Sequence, residues 1–153
     1  IHDEQENLVL TADSAWMLVD PKNRQILRPS AFPYAHPTYL PADCPPCRKI
    51  KWEDGTLAGR RKVVYSDLDG NGHVYNAVYA GIACDFLPQE TLKREISAYQ
   101  VNFAHEAKLG DTLDIWLRQN EQSSVIKGTV GDHDSFLCVL EYRPDRETIG
   151  PER

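Results

Sequence analysis

The chain is short of several things that would place it at once. It has no run approaching the ~18 to 20 consecutive apolar residues that a bilayer-crossing helix needs, and its opening residues do not read as a signal or transit peptide. No membrane association is expected. Basic residues are outnumbered, 17 Lys and Arg against 23 Asp and Glu, for a formal charge of −6. That balance speaks against generic nucleic-acid binding, which normally leaves a basic footprint. Four cysteines in 153 residues form no spaced disulfide framework. Cys84 and Cys138 sit in apolar runs where a thiol behaves as a small hydrophobe. A reducing, cytoplasmic setting fits this usage.

What is present suffices for one full domain. With 41% hydrophobic and 26% charged residues the composition is that of a globular protein. A chain of this size buries roughly 70% of the surface its unfolded form exposes, so neither disulfides nor metals are required to hold it together. Residues 7–20 are rich in β-compatible side chains. Asp20–Asn23 supplies turn chemistry before a second short run at 24–28, so 1–28 reads as a β-hairpin. Six prolines lie between Pro29 and Pro46, and 29–59 reads as an extended linker. A lone hairpin is too little for independent stability, so the chain reads as a fragment that opens on the end of a preceding module.

Past the linker, 60–67 is expected as a strand and 69–72 as a tight loop. A helix is expected over 73–87, free of proline and carrying Ala77, Ala80, Gly81 and Ala83, small residues that let a sheet approach closely. Four strand-like runs follow at 96–104, 112–118, 124–130 and 135–142, separated by turn signals. Strand, small apolar helix, then antiparallel meander predicts an α+β protein in which the sheet wraps a central helix, the hotdog arrangement, over 60–145 with a tail at 146–153. An open α+β sandwich is the competing pattern.

The segment 66–76 places Asp67, Asp69, Asn71 and His73 at alternate positions on the loop before the helix. Alternate acidic and amide ligands before a glycine also open an EF-hand loop, but the twelfth position is Val78 instead of glutamate, and a strand precedes it where a helix should. A hydrolytic reading suits the segment better. A helix N-terminus offers unpaired N–H groups and a positive dipole end to an oxygen becoming an oxyanion. Asp69 and Asn71 are also good turn or cap residues, and for Asn71 alone that is the plainer account.

At this point the sequence resembles the acyl-ACP thioesterase family. The family's loop has the form D-L-D-x-N-x-H-V-N-N, and residues 67–76 read Asp67, Leu68, Asp69, Gly70, Asn71, Gly72, His73, Val74, Tyr75, Asn76, departing only at Tyr75. The resemblance implies catalytic roles for Asp69, Asn71 and His73. It assigns a fourth to Glu106, in a run (102–107) equivalent to the family's E-Y-R-R-E-C. Where plant members commonly carry a cysteine after that glutamate, this chain has Ala107, which excludes a thiolate there. Water attack is the compatible mechanism: Glu106 takes a proton from water, Asn71 and backbone amides hold the thioester oxygen, and His73 positions water or protonates the leaving thiolate. Whether Glu106 or His73 is the base stays open. The pattern T-x-x-S-x-W-x-L-x-D-x-x-x-R in 11–24 likewise resembles the closing hairpin of the first of two tandem hotdog modules.

The implied substrate partner is an acyl carrier protein bearing a fatty acyl chain, met through the basic clusters Arg48, Lys49, Lys51 and Arg60, Arg61, Lys62. No cofactor and no metal are expected. Cys44 and Cys47, with His36 nearby, form a lone CxxC lacking the second pair of a zinc site. His105 beside Glu106 reads as a bystander, and Trp16, Trp52 and Trp116 read as core or interface residues. Unpaired strand edges around the hairpin lead to the expectation of a homodimer burying Trp16 and Leu18. The competing function class is a non-catalytic acyl or carrier-protein binding module on the same fold.

Overall fold

The computed structural model describes residues 1–20, 22–23, 25–28, 30 and 46–144. They fall into two compact units, Ile1–Arg48 and Lys49–Arg153. In the first, β1 (Leu18–Val19) pairs antiparallel with β2 (Ile26–Leu27), Leu18 opposite Leu27 and Val19 opposite Ile26. The turn between them is closed by Asp20 N–H donating to Gln25 O at 2.9 Å. The strand expected over 7–20 is thus only two residues long. Its β-compatible side chains lack a ladder: Leu8, Val9, Leu10 and Met17 are exposed, as is Trp16, 83% accessible in the single chain, while Leu18 is half-buried.

The second unit is built on a five-stranded antiparallel sheet in the order β3-β5-β6-β7-β4. Its strands are β3 (Thr56–Lys62), β4 (Ile96–Phe103), β5 (Thr112–Gln119), β6 (Ser123–Val130) and β7 (His133–Tyr142). The last four match the runs seen in the sequence to within two residues, because alternation and turn chemistry agree there. Leu113 and Ile115 of β5, Ile126 of β6, and Phe136, Cys138, Leu140 and Tyr142 of β7 alternate onto one face. There they meet Tyr79, Ile82 and Ala83 of α1 (Val78–Asp85) in one buried cluster. Burial pushes the Cys138 thiol up to about 12, the behaviour of a packing residue.

Two expectations are corrected here. The strand placed at 60–67 starts at Thr56 and stops at Lys62, with a 3-10 turn over Tyr65–Asp67. The helix placed at 73–87 begins only at Val78, because His73 and Val74 are held in extended bridges to Lys108 and Leu68. A second short helix, α2 (Gln89–Leu92), starts behind Pro88.

On the sheet's other face the chain crosses as a strap. Ile50 N–H donates to Asn102 Oδ1 at 2.6 Å, the Lys127 ammonium lies 5.0 Å from the Trp52 ring centre, and Arg118 pairs with Glu53 at 2.6 Å. The end of the proline-rich segment therefore covers sheet instead of hanging free.

Packing between neighbouring strands on the sheet's core face is tight enough to dictate a glycine. A Cβ at Gly128 would overlap the fully buried Phe136 ring, which has no room to retreat. Gly128→Ala is expected to destabilise the protein by about 2 kcal/mol, the scale of an overpacked core, read as a lower urea midpoint at unchanged m-value. Gly81→Ala, with nothing within 4 Å of the added carbon, should cost nothing measurable.

Candidate active site

The loop between β3 and α1 is fixed at its base by an ion pair. Arg61 Nη1 and Nη2 donate to the two oxygens of Asp67 at 2.9 and 2.7 Å, and Val64 N–H adds a third bond to Asp67 Oδ2. Asp67 is almost wholly buried and Arg61 half-buried. The guanidinium holds the carboxyl below the usual aspartate range, against the opposing effect of burial. Asp67 is therefore committed to Arg61, which also disposes of it as a calcium ligand.

Above this base the loop closes on itself. Tyr75 N–H donates to Asp67 O, Leu68 bridges Val74, and Asp69 N–H donates to His73 O at 2.8 Å. Gly72, at φ +78, makes the reversal that a residue with a Cβ would resist. Asp69 organises the tip: its Oδ1 accepts the backbone N–H of Asn71 at 2.8 Å and of His73 at 3.2 Å, while Oδ2 lies 3.4 Å from Asn71 Nδ2. The His73 and Asn71 amides lower its pKa.

Glu106 arrives from the loop after β4. Val74 N–H donates to Ala107 O at 2.9 Å and His73 bridges Lys108, so the two loops run antiparallel for a few residues. Val74 and Ala107 point into the core, and their neighbours His73 and Glu106 point out. The outcome is a side-chain contact: His73 Nε2 lies 3.1 Å from Glu106 Oε2, with 23% and 49% of the two side chains accessible. The donor is the imidazole, since an ionised carboxylate only accepts.

The structure thus brings Asp69, Asn71 and His73 together on one turn and joins His73 to Glu106. It sets this constellation on a β-bridged loop several residues ahead of α1, not on the helix end expected from the sequence. The side chain at 107 is fully buried, so that position faces the core. His105 is engaged structurally, with Nδ1 donating to Asp134 O at 2.9 Å and its ring 5.4 Å from that of His133. Of the CxxC, Cys47 donates weakly to Asp13 O at 3.3 Å, while Cys44 and His36 lie outside the described residues. Sequence reasoning misses the Arg61–Asp67 pair. Arg61 stands in a run of basic neighbours, and only strand-end geometry turns it inward.

One comparison shows the family and another the fold. Residues 53–136, more than half of the chain, match the family model of the acyl-ACP thioesterase C-terminal domain. No curated protein matches the sequence significantly. Among solved structures, an acyl-ACP thioesterase from Bacteroides thetaiotaomicron is similar at TM-score 0.72 and 18% identity, covering 82% of this chain and 53% of its own. A 12:0-ACP thioesterase from Umbellularia californica is similar at TM-score 0.56 and 20% identity, covering 63% of this chain and 39% of its own. The fold is therefore the α+β hotdog fold, and the chain spans about half the length, or less, of these two proteins.

The clamp at the loop's base generates a test. Arg61→Met leaves Asp67 buried and unpaired, and should cost about 3 kcal/mol of stability at pH 7. Because the folded pKa of Asp67 is depressed, the pair's contribution is complete above the ordinary aspartate pKa of about 3.9 and is lost as pH falls through the lower folded value. Urea titrations of wild type and variant should accordingly converge as the pH is taken well below 3.9. A gap that stays constant into acid would assign the loss to packing of the arginine stem.

Proposed function

Since the chain belongs to the acyl-ACP thioesterase family, we propose that its protein hydrolyses fatty acyl-ACP thioesters to free fatty acid and ACP in cytoplasmic fatty acid biosynthesis. The observation that carries this reading is the 3.1 Å contact between His73 and Glu106, beside the turn that holds Asn71 and Asp69. On this reading Glu106 removes a proton from water as the water oxygen attacks the thioester carbon. The carbonyl oxygen becomes an oxyanion, stabilised by the Asn71 side-chain amide. Collapse breaks the C–S bond, and the proton held by Glu106 passes to the sulfur, directly or through His73. His73 keeps the carboxylate aimed, and Asp69 keeps the backbone of Asn71 and His73 in place.

Residues 1–28 are, on the same reading, the closing hairpin of a first hotdog module, 29–59 a linker whose last residues already belong to β3, and 60–145 the catalytic module. Exposed Trp16 and Met17 support a homodimer in which this hairpin is covered. Light scattering should return twice the chain mass, and removal of 1–28 should lower solubility. A monodisperse monomer indifferent to that deletion would rule the dimer out.

Of the basic groups proposed to meet the acidic carrier protein, Arg60 is paired with Asp114 at 2.7 Å and Arg61 with Asp67, so reversing either confounds docking with folding. Lys51 and Lys62 are exposed. The pair Lys51→Glu and Lys62→Glu should raise KM for acyl-ACP several-fold while a small acyl thioester is turned over as before.

For the chemistry, Glu106→Gln and His73→Ala should each lower kcat on acyl-ACP by roughly 10² to 10⁴, the usual contribution of general acid–base groups, without lowering the melting temperature. Wild-type protein that binds acyl-ACP but does not cleave it would leave the binding-module reading in its place.

A further inference from the structure

A pair of buried hydroxyls grips the segment that presents Glu106, and the reaction scheme above makes no use of them. Ser135, 1% exposed, donates from Oγ to the His105 carbonyl at 2.9 Å. Its own carbonyl accepts Ala104 N–H at 2.8 Å and His105 N–H at 3.3 Å. The Tyr79 hydroxyl, on a side chain 3% exposed, lies 3.3 Å from Ser135 Oγ. The direction of that bond is forced: a carbonyl cannot donate, so Ser135 commits its one proton to His105, and Tyr79 must be the donor to Ser135.

We propose that Tyr79 and Ser135 are positioning residues for Glu106, relaying a hydrogen bond from α1 through β7 to the peptide carbonyl that immediately precedes it. The assignment rests on the reading of Glu106 as the base. Glu106 hangs between two anchors. Downstream, Ala107 O is fixed by Val74 N–H; upstream, His105 O is fixed by Ser135. With either anchor gone, the peptides flanking Glu106 can rotate, and the carboxylate loses its register against His73. Tyr79 is braced in turn by Phe136 and Phe103, at ring-centre distances of 4.9 and 5.6 Å, so the relay ends in the core. Buried hydroxyl chains of this kind act as units.

Steady-state kinetics and amide hydrogen exchange test the proposal together. Ser135→Ala should lower kcat on acyl-ACP about tenfold or more, the scale of a displaced catalytic group, with KM within about twofold and the kcat–pH profile displaced. Tyr79→Phe, which keeps the ring packing, should lower kcat roughly threefold, one ordinary hydrogen bond. It preserves the test if Ser135→Ala fails to fold. Ser135→Thr, which retains the hydroxyl, should recover most of the activity. Independently of turnover, exchange at the Val74, Ala104 and His105 amides should quicken in Ser135→Ala while that of Ile126 in the sheet does not. Unchanged exchange at those amides, wild-type kcat in both hydroxyl deletions, or a Thr variant no better than Ala would each overturn the relay. Wild-type protein inert toward acyl-ACP would instead count against the hydrolase reading, and the exchange data would then decide by themselves whether the hydroxyls hold the segment.

Discussion

Everything local to the site depends on a few residues of antiparallel backbone where 73–74 meets 107–108. Side chains alternate across an extended strand, so fixing one pair of residues fixes which way the next pair points. Val74 and Ala107 are driven inward by burial. That choice turns His73 and Glu106 outward and side by side, although they come from loops on opposite sides of α1 and β4. A slip of one residue would send the histidine into the core and the small apolar side chains to solvent. The hydrophobic effect, acting on two inward residues, thus sets the geometry of two outward ones.

The three acidic groups around the loop are separated by what they are bound to. Asp67 is neutralised by a bidentate guanidinium and serves as a structural pin. Asp69 gives Oδ1 to two backbone amides of the turn and Oδ2 to the Asn71 side chain, which keeps it ionised without leaving it free to take a proton. Glu106 faces the imidazole of His73 and is the most exposed of the three. Groups of the same chemical class thereby acquire different roles through partners and burial, the general way in which carboxylates are sorted in a site.

The meander is legible in the sequence because each strand alternates and is bounded by its own turn residues, so local and tertiary preferences coincide from Ile96 to Tyr142. The helix is misjudged at its start because small apolar residues carry no boundary, and of those read as an approach surface Ala83 is buried while Ala77 and Gly81 are exposed. Tertiary bridging takes His73 and Val74 away from the helix, and Pro88 opens a separate one. Residues 7–20 carry strand composition with almost no ladder, a reminder that β propensity describes a fit to neighbours. The residues of the loop stand out through the family resemblance, whereas Ser135, Tyr79 and Arg61 do not. Their meaning lies in partners distant along the chain or in a turn of the backbone, and an isolated serine in a strand or tyrosine in a helix announces neither.

The sequence leaves open whether the carboxylate or the imidazole is the base, and burial bears on that choice. His73 is the less accessible of the two side chains, its backbone is tied by Asp69 and by the bridge to Lys108, and its Nε2–H is directed at Glu106. Glu106 has about half of its side chain open to solvent, so it is the group that water reaches first. A base that must collect its substrate water from solvent gains from exposure on that side and from a fixed hydrogen bond on the other. A base held only by its own rotamers would have to be oriented afresh at each turnover. On the proposed chemistry, this asymmetry favours Glu106 as the proton acceptor and His73 as the group that aims it.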